Sequence, residues 1–306
     1  MLNLLATKAE SFIESITGRI LTSRRELNQL RAVDDSLSDN TKLYKHWEIN
    51  QLRRVFELLK PSIVLDIGAH HGEYAEMILH DVGYSGVVVS VEANPHAFAI
   101  LERKSSANPL WHAFNYAIGE NNGCTTFNIM VSTQFSSLNM PIDIPTSEFD
   151  SANRIQESVT VNLCTLTALL QSCSSIADCS RPFLKLDTQG SDLSILKASQ
   201  SSAHSMLGIQ CELSIIKIYK ESPDFLEVIP FLYSLGFSLN SFVPNNAGHF
   251  PILIESDAIF INNGVLSSYY GLKEFDVLKI NSFEPGVRES LGNRPLRSDR
   301  GPALDG

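Results

Sequence analysis

The sequence has few cysteines, and their spacing excludes the structures that cysteines commonly build. There are five in 306 residues, and an odd number at irregular spacing is not a disulfide framework. No Cys-x-x-Cys pair occurs, so a zinc ribbon is not expected. Free thiols are usual in the reducing cytoplasm. We therefore expect them at Cys124, Cys164, Cys173, Cys179 and Cys211.

The chain also lacks long apolar runs and an excess of positive charge. No stretch approaches the ~18 uninterrupted apolar residues of a transmembrane helix. The first residues lack the basic region of a signal peptide, so we expect a cytoplasmic protein without a transmembrane segment. The formal net charge is −10, which disfavours a general electrostatic attraction to nucleic acid or to an anionic membrane. No nucleic-acid partner is expected.

Hydrophobic periodicity divides the chain into three parts. Residues 1–60 carry apolar residues at helical spacing and predict an N-terminal helical extension, which offers a contact for a homo-oligomer. Residues 61–270 alternate between apolar runs and amphipathic stretches, as in a parallel sheet with helices on both faces. Residues 271–306 lose this pattern, and their Gly, Pro, Arg, Asp and Ser predict a C-terminal extension that is disordered at its end.

The most informative stretch is residues 62–74. A short apolar run leads to Asp66, and a loop with the spacing Asp-x-Gly-x-x-x-Gly then enters a helix-forming run. Gly68 and Gly72 do not follow the Gly-x-Gly-x-x-Gly spacing of pyrophosphate binders. Glu92 ends the next predicted strand, where an acid accepts the hydroxyls of a ribose. These residues predict a nucleoside-cofactor site that fits S-adenosylmethionine (SAM) better than NAD.

Two later predicted strands also end on acids. Residues 182–187 end on Asp187 and residues 207–212 end on Glu212. Ligands of parallel sheets bind beyond the carboxyl ends of the strands, so these acids are expected to face the same cleft as Asp66 and Glu92. Lys185 shares a strand face with Asp187 because side chains alternate. A lysine in an apolar strand must either pair with a carboxylate or lie at the mouth of a site.

In this order, the motifs resemble the FkbM-type SAM-dependent methyltransferases, a branch of the class I Rossmann-like methyltransferases. The resemblance spans about residues 61–262 and rests on Val64–Gly72, Val91–Pro95, Asn115–Gly119, Leu184–Gly190, Gln210–Leu213 and Asp257–Ile261. Its most specific part is Lys-x-Asp-x-Gln-Gly at 185–190. The chain departs from the family pattern at Thr167, where the family often has an aspartate.

The resemblance implies a three-layer α/β Rossmann-like sandwich. Its mostly parallel sheet would have the strand order 3-2-1-4-5-7-6, with strand 7 antiparallel. SAM is the implied cofactor, and the expected cofactor-binding residues are Asp66, Gly68, Ala69, His70, Gly72, Glu92, Ala93, Asn94, Asn115 and Ala117. Among these, Glu92 would hold the ribose, while Asn115 and Ala117 would flank the adenine.

The implied reaction is methyl transfer, usually to a hydroxyl oxygen of a sugar, glycolipid or natural product. A small-molecule or glycan acceptor is therefore expected. The enzyme must place the acceptor oxygen in line with the activated methyl group and accept the hydroxyl proton. Asp187 is the first candidate for the base or for substrate positioning, followed by Glu212 and Lys185. No metal site is expected.

Three alternatives stay open at this point. A related methyltransferase would use a divalent metal held by Asp187 and neighbouring carboxylates. An NAD-dependent oxidoreductase is disfavoured by the glycine spacing, and a non-catalytic SAM-binding module is disfavoured by acids at four strand ends. Residues 132–156 and 214–224 are expected to shape the acceptor pocket, and no motif identifies the acceptor.

Overall fold

The computed structural model describes residues 39–142, 152–244 and 252–276. The predicted helices before residue 39, with their expected oligomer contact, lie outside these ranges. The same holds for the C-terminal residues after 276 and for part of the predicted acceptor loop. Within the described ranges, no helix is both long and apolar enough to cross a membrane.

The strands follow the predicted alternation with helices. In chain order they are β1 (Ile63–Ile67), β2 (Val87–Val91), β3 (Trp111–Phe114), β4 (Ala117–Ile118), β5 (Gly123–Met130), β6 (Ile155–Cys164), β7 (Pro182–Leu186), β8 (Gly208–Ser214), β9 (Phe237–Pro244) and β10 (Glu255–Asn262). The central sheet has the order β3-β2-β1-β7-β8-β10-β9. Within it, β10 is antiparallel to both neighbours and the other pairs are parallel. This confirms the predicted fold, including the strand order and the antiparallel last strand.

Most of the helices lie between these strands, and several begin at side-chain caps. They are α1 (Asp39–Leu59), α2 (Glu73–Glu76, continued by the π-helical Met77–Val82), α3 (Pro95–Ser105), α4 (Leu166–Cys173), α5 (Asp192–Ala198), α6 (Gln200–His204), α7 (Phe225–Ser234) and α8 (Asn263–Tyr270). Asn94 caps α3 by accepting the backbone N–H of His96 at 3.0 Å. Asp224 forms a capping box with Glu227 at the start of α7.

The predicted third strand, residues 111–118, divides between two sheets. Only Trp111–Phe114 pairs with β2, whereas Ala117–Ile118 pairs with β6 in a second sheet of order β4-β6-β5. The chain turns between them at Asn115, whose Nδ2 donates to the carbonyl oxygens of Glu92 and Ala93 at 2.8 and 3.3 Å. The strand prediction was therefore wrong in its extent, because it took one apolar run for one strand.

Two other strand boundaries differ from the prediction near the cleft. β8 continues past Glu212 to Ser214, so Glu212 lies inside the strand and not at its end. β10 begins at Glu255, three residues before the predicted start at Ala258. Both extensions arise because the two strands pair with each other, Asp257 lying opposite Glu212 and Glu255 opposite Ser214.

Helix α1 packs directly on the central sheet. Leu52 and Leu59 are fully buried, and they belong to the same core cluster as Val64 of β1 and Phe183 of β7. The ring of Phe56 meets that of Phe183 edge-on, with the centroids 5.0 Å apart. The last part of the predicted N-terminal extension is thus continuous with the core of the α/β domain.

A row of polar residues crosses the sheet beneath α1. Asp66 pairs in register with Ser90 on one side and with Lys185 on the other, and Lys185 pairs with Gln210. Residues in register on parallel strands point to the same face, so this row shares the face that packs on α1. All four side chains are buried. These four side chains lie at the base of the cavity described below.

The packing of α1 predicts that Leu52 stabilises the α/β domain. Leu52→Ala should lower the free energy of unfolding by about 2–5 kcal/mol because it leaves a cavity in the core. Urea denaturation followed by circular dichroism measures this change. Leu43→Ala is the matched control on the same helix, since Leu43 is 48% exposed, and it should change stability by less than about 0.5 kcal/mol. Equal effects of the two substitutions would contradict the packing of α1.

Candidate active site

A cavity of about 420 Å³ lies at the carboxyl ends of the parallel strands, beneath α1. Small-molecule sites typically occupy ~300–1,000 Å³ and lie at this edge of α/β sheets. The cavity is lined by these predicted site residues: Asp66, Gly68, Ala69, His70, Glu92, Ala93, Ala117, Lys185, Asp187 and Glu212. The structure therefore brings the predicted cofactor and catalytic residues together in one cavity.

Three of the predicted cofactor residues lie behind the cavity wall. Gly72 precedes α2 and packs against the Trp111 ring. Asn94 caps α3 and is buried, and Asn115 holds the backbone of Glu92. Each of them supports a residue or helix next to the cavity without lining it.

The loop after β1 turns tightly at Gly68. Its φ of +80° lies in the left-handed region, and a Cβ there would collide with the carbonyl oxygen of Asp187. The backbone N–H groups of Gly68 and Ala69 donate to the carbonyl oxygen of Val91 at 2.9 and 3.1 Å. The absence of a side chain at Gly68 thus lets the β1 loop lie directly against the end of β7.

Glu92 lies at the end of β2, with 6% of its surface exposed. Its Oε2 accepts the backbone N–H of His70, and its Oε1 accepts that of Asn94, each at 2.7 Å. Burial raises the pKa of Glu92, although these hydrogen bonds oppose the shift. A carboxylate oxygen has more than one acceptor position, so both oxygens can still receive a hydroxyl.

The wall beside Glu92 is apolar. Ala93, Ala117 and Phe127 form one buried cluster, to which the second sheet contributes Ala117 and Phe127. A nucleoside requires a carboxylate for its diol, a flat apolar wall for its base and a glycine turn that lets the backbone come close to the ligand. The residues present therefore fit a nucleoside cofactor such as SAM.

Asp66 is held in the floor of the cavity by a hydrogen-bonded chain. Trp111 Nε1 donates to Ser90 Oγ at 2.9 Å, and Ser90 Oγ donates to Asp66 Oδ2 at 2.8 Å. Burial raises the pKa of Asp66 to about 7, more than the Ser90 hydrogen bond and the charge of Lys185 lower it. Asp66 therefore changes charge near neutral pH.

Lys185 is a buried cation among carboxylates. Its Nζ lies 3.2 Å from Asp257 Oδ1 and 3.4 Å from Asp187 Oδ2, and 5.9 Å from the centroid of the Tyr74 ring. Burial alone would lower the pKa of Lys185, but the charges of Asp187, Asp257 and Glu212 raise it well above its usual value. The side chain is therefore an ammonium ion.

The acids around Lys185 outnumber the positive charges there. Burial raises the pKa of Glu212 well above its usual value, and a hydrogen bond links it to Glu255, whose pKa burial raises to about 7. Burial also raises the pKa of Glu48 on α1 to about 7. Like charges in one cavity favour protonation. Burial and the neighbouring acids thus both favour the protonated form of Glu212.

Gln189 joins the two predicted catalytic acids. Its Nε2 donates to Asp187 Oδ1 at 3.0 Å and to Glu212 Oε2 at 3.2 Å. Its Oε1 accepts the hydroxyl of the buried Tyr219 at 2.9 Å, which fixes the orientation of the amide. Gln189 has φ +52°, a value that is uncommon outside glycine. Such a conformation persists only where surrounding contacts hold it, and these hydrogen bonds do so.

Sequence reasoning missed several residues of the site. Glu255 and Asp257 were missed because β10 was predicted to begin after them, although two acids at a spacing of two residues share one strand face. Glu48 was missed because it lies on a helix distant in sequence, where it accepts Gln210 Nε2 at 2.8 Å. Of the two segments expected to shape the acceptor pocket, residues 132–156 contribute Phe135 to the cavity lining, and Tyr219 of residues 214–224 is buried.

The Gly68 turn predicts that a methyl group added at Gly68 has a larger effect than one added at Gly83. Gly68→Ala should abolish cofactor binding and lower the free energy of unfolding by more than Gly83→Ala does. Gly83 has nearly the same φ, +81°, but open space around it, so its substitution carries only the backbone cost of about 1–2 kcal/mol. Calorimetry with SAM and urea denaturation measure both quantities. Cofactor binding by Gly68→Ala at wild-type affinity would contradict this role of the turn.

The raised pKa of Asp66 predicts that stability falls as pH rises. A carboxyl group with a raised folded-state pKa binds its proton more tightly when folded. Its contribution is therefore complete below the unfolded pKa near 4 and is lost as pH approaches 7. Asp66→Asn keeps an acceptor for Ser90 and should reduce the loss between pH 5 and 7 by an amount on the order of 1 kcal/mol per pH unit.

Urea denaturation at pH 5, 6, 7 and 8 tests this slope. Asp178→Asn is the control, because hydrogen bonds from Ser180 lower the pKa of Asp178 and this exposed group titrates below the window. If the free energy of unfolding has the same slope against pH in the wild type and in Asp66→Asn, Asp66 does not titrate between pH 5 and 7.

The chain has one Tyr-x-x-x-Lys spacing of the kind found in some NAD-dependent oxidoreductases. It is formed by Tyr269 of α8 and Lys273. Neither residue lines the cavity. This arrangement gives the NAD-dependent alternative no support.

Comparison with known proteins gives several solved structures of similar fold. The methyltransferase FkbM from Methylobacillus flagellatus KT is 17% identical, with 77% of this chain aligned to 57% of that chain at a TM-score of 0.39. The magnesium protoporphyrin IX methyltransferase from Synechocystis PCC 6803 with bound SAM is 9% identical, with 84% of this chain aligned to 96% of that chain at a TM-score of 0.36. The chain thus spans little more than half the length of the first structure. No curated protein matches it.

A family model assigns the domain directly. The methyltransferase FkbM domain matches residues 66–239, which is more than half of the chain and includes the cofactor loop, Glu92 and the Lys185–Gly190 motif. The resemblance stated from the sequence is confirmed, and so is the predicted cofactor, S-adenosyl-L-methionine. The chain belongs to the FkbM-domain family of SAM-dependent methyltransferases.

Proposed function

We propose that this protein transfers the methyl group of SAM to a hydroxyl oxygen of a small-molecule or glycan acceptor, such as a sugar, glycolipid or natural product. The observation that carries the proposal is the position of Asp187. Its carboxylate lies at the cavity between the cofactor loop and the buried acids, and its side chain is 35% exposed, against 12% for Asp257. Of Asp187 and Asp257, Asp187 is therefore the carboxylate that an acceptor can reach.

Asp187 is held in a defined orientation. Gln189 Nε2 donates to Oδ1 at 3.0 Å, and Lys185 Nζ lies 3.4 Å from Oδ2. The backbone carbonyl of Asp187 lies against Gly68, so the cofactor loop and the proposed base are in direct contact. Such a contact keeps the base and the methyl donor at a fixed separation, which in-line transfer requires.

When bound, SAM supplies a methyl group that is already activated by its sulfonium. The remaining task of the protein is to orient the acceptor hydroxyl and to accept its proton as the new C–O bond forms. Asp187 accepts that proton at a carboxylate oxygen. The surplus of carboxylates around the cavity also favours a cationic cofactor over the neutral product that remains after transfer.

Lys185 and Glu212 take supporting roles in this proposal. The raised pKa of Lys185 keeps it an ammonium, so it stabilises the charge of Asp187 and does not act as a base. The raised pKa of Glu212 favours its protonated form, which can donate a hydrogen bond to Glu255 or to an acceptor oxygen. Gln189 links Glu212 to Asp187.

The metal-dependent alternative would place a divalent cation between Asp187 and the neighbouring carboxylates. The ammonium of Lys185 lies within 3.4 Å of both Asp187 and Asp257 and occupies that position itself. This placement supports transfer without a metal ion at Asp187. A non-catalytic SAM-binding module remains an outcome of the following test.

Asp187→Asn should bind SAM with near-wild-type affinity and lose at least about 10²-fold in turnover, because general-base catalysis contributes about 10²–10⁴-fold. Binding is measured by calorimetry, and transfer of isotope-labelled methyl from SAM is measured with small-molecule and glycan fractions. Asp81→Asn is the control, since Asp81 is exposed and lies away from the cavity. Normal turnover in Asp187→Asn would remove the residue from its role. Absence of any acceptor for the wild type would favour the non-catalytic module.

A further inference from the structure

Three potential metal ligands converge at the mouth of the cofactor cavity. His70 and His71 belong to the loop after β1, and Glu73 begins α2. His70 Nδ1 and His71 Nδ1 each lie 3.6 Å from Glu73 Oε1, and the ligand atoms of the three residues all lie within 4.8 Å of one another. The centroids of the two imidazole rings are 3.7 Å apart. One point in space is therefore within reach of two imidazoles and a carboxylate.

From this cluster, we infer a binding site for a divalent transition-metal ion such as Zn²⁺ or Fe²⁺, with His70, His71 and Glu73 as ligands. Two histidines and one carboxylate form a common ligand set for such ions. Ligand atoms about 2.0–2.2 Å from a tetrahedral ion lie roughly 3.3 Å from one another. The separation of 3.6 Å between each imidazole and the carboxylate needs to shorten by only a few tenths of an ångström.

Contacts on the far side of His70 and of Glu73 leave their inferred ligand atoms facing each other. His70 Nε2 is hydrogen-bonded to Thr133 Oγ1 at 2.9 Å, which directs its Nδ1 toward Glu73. Glu73 Oε2 accepts the backbone N–H of His71 at 3.2 Å, which leaves Oε1 toward the two imidazoles. Metal-binding histidines usually have such a partner on their other ring nitrogen. His70 also adopts φ +48°, an uncommon conformation that turns the loop toward Glu73.

The site has a free side toward the cofactor cavity. His70 and Glu73 line that cavity, whereas His71 does not. Three protein ligands leave at least one coordination position for water or for an oxygen or nitrogen donor of a bound molecule. The ion would also join the loop after β1 to the start of α2. No metal site was expected from the sequence, and adjacent histidines do not match a common ligand spacing.

The site is separate from Asp187 and Lys185, so its test needs no acceptor and does not depend on the proposed transfer chemistry. The full chain, purified without a histidine tag and freed of metal, is titrated with Co²⁺, and binding is followed by the visible absorption of the ion. We expect one Co²⁺ per chain, displaced by one equivalent of Zn²⁺. Glu73→Gln and His71→Asn should each weaken Co²⁺ binding at least about tenfold, and Thr133→Val about 10–100-fold through the orientation of His70.

His96→Asn is the matched control, because His96 is 70% exposed on α3 and pairs with Glu157. It should bind Co²⁺ as the wild type does, and circular dichroism confirms that each variant is folded. Two results would overturn the site: no stoichiometric binding by the wild type, or unchanged affinity in both Glu73→Gln and His71→Asn.

Discussion

The site depends on a buried lysine that is surrounded by carboxylates. Lys185 lies in the middle of the sheet, where an unpaired ammonium would be strongly destabilising. Asp187 and Asp257 pair with it directly, and Asp66 is its neighbour in register on β1. Replacing either member of a buried pair leaves the other charge uncompensated. The identity of each residue in this group therefore constrains the others.

This constraint explains why function concentrates at one edge of the sheet. Parallel strands bring their carboxyl ends to the same side, and Gly68 lets the β1 loop lie against the end of β7. The part of the cavity formed by Glu92 and the apolar wall of the second sheet therefore lies next to the part formed by Asp187 and the buried acids. Burial raises the pKa values of several acids there, and the neighbouring carboxylates add to the shift. A cavity of this charge suits a sulfonium cofactor.

Much of this arrangement follows from local sequence. The apolar strand before Asp66, the glycine spacing and the acid at Glu92 are contiguous signals, and each maps to one element. The alternation of strands and helices and the family motifs together predicted the central sheet in its correct order. Lys185 was identified as a residue that needs a partner because its charge conflicts with the apolar strand around it.

The remainder depends on contacts between residues that are distant in sequence. β4 joins the second sheet because the chain turns at Asn115, and the signal for that turn is a hydrogen bond to Glu92 rather than a sequence pattern. Glu255 and Asp257 become site residues through the antiparallel pairing of β10 with β8. Glu48 reaches the cavity from a helix 162 residues before its partner Gln210. Such tertiary pairings have no local signature in one sequence.

The most direct test of the account is calorimetry of the full chain with SAM and with NAD, using the wild type and Glu92→Gln. We expect one SAM per chain, no binding of NAD, and at least about tenfold weaker SAM binding in Glu92→Gln, because the amide donates where the carboxylate accepts. Binding of NAD without binding of SAM would contradict the assignment of the cavity. Unchanged SAM affinity in Glu92→Gln would contradict the role given to Glu92.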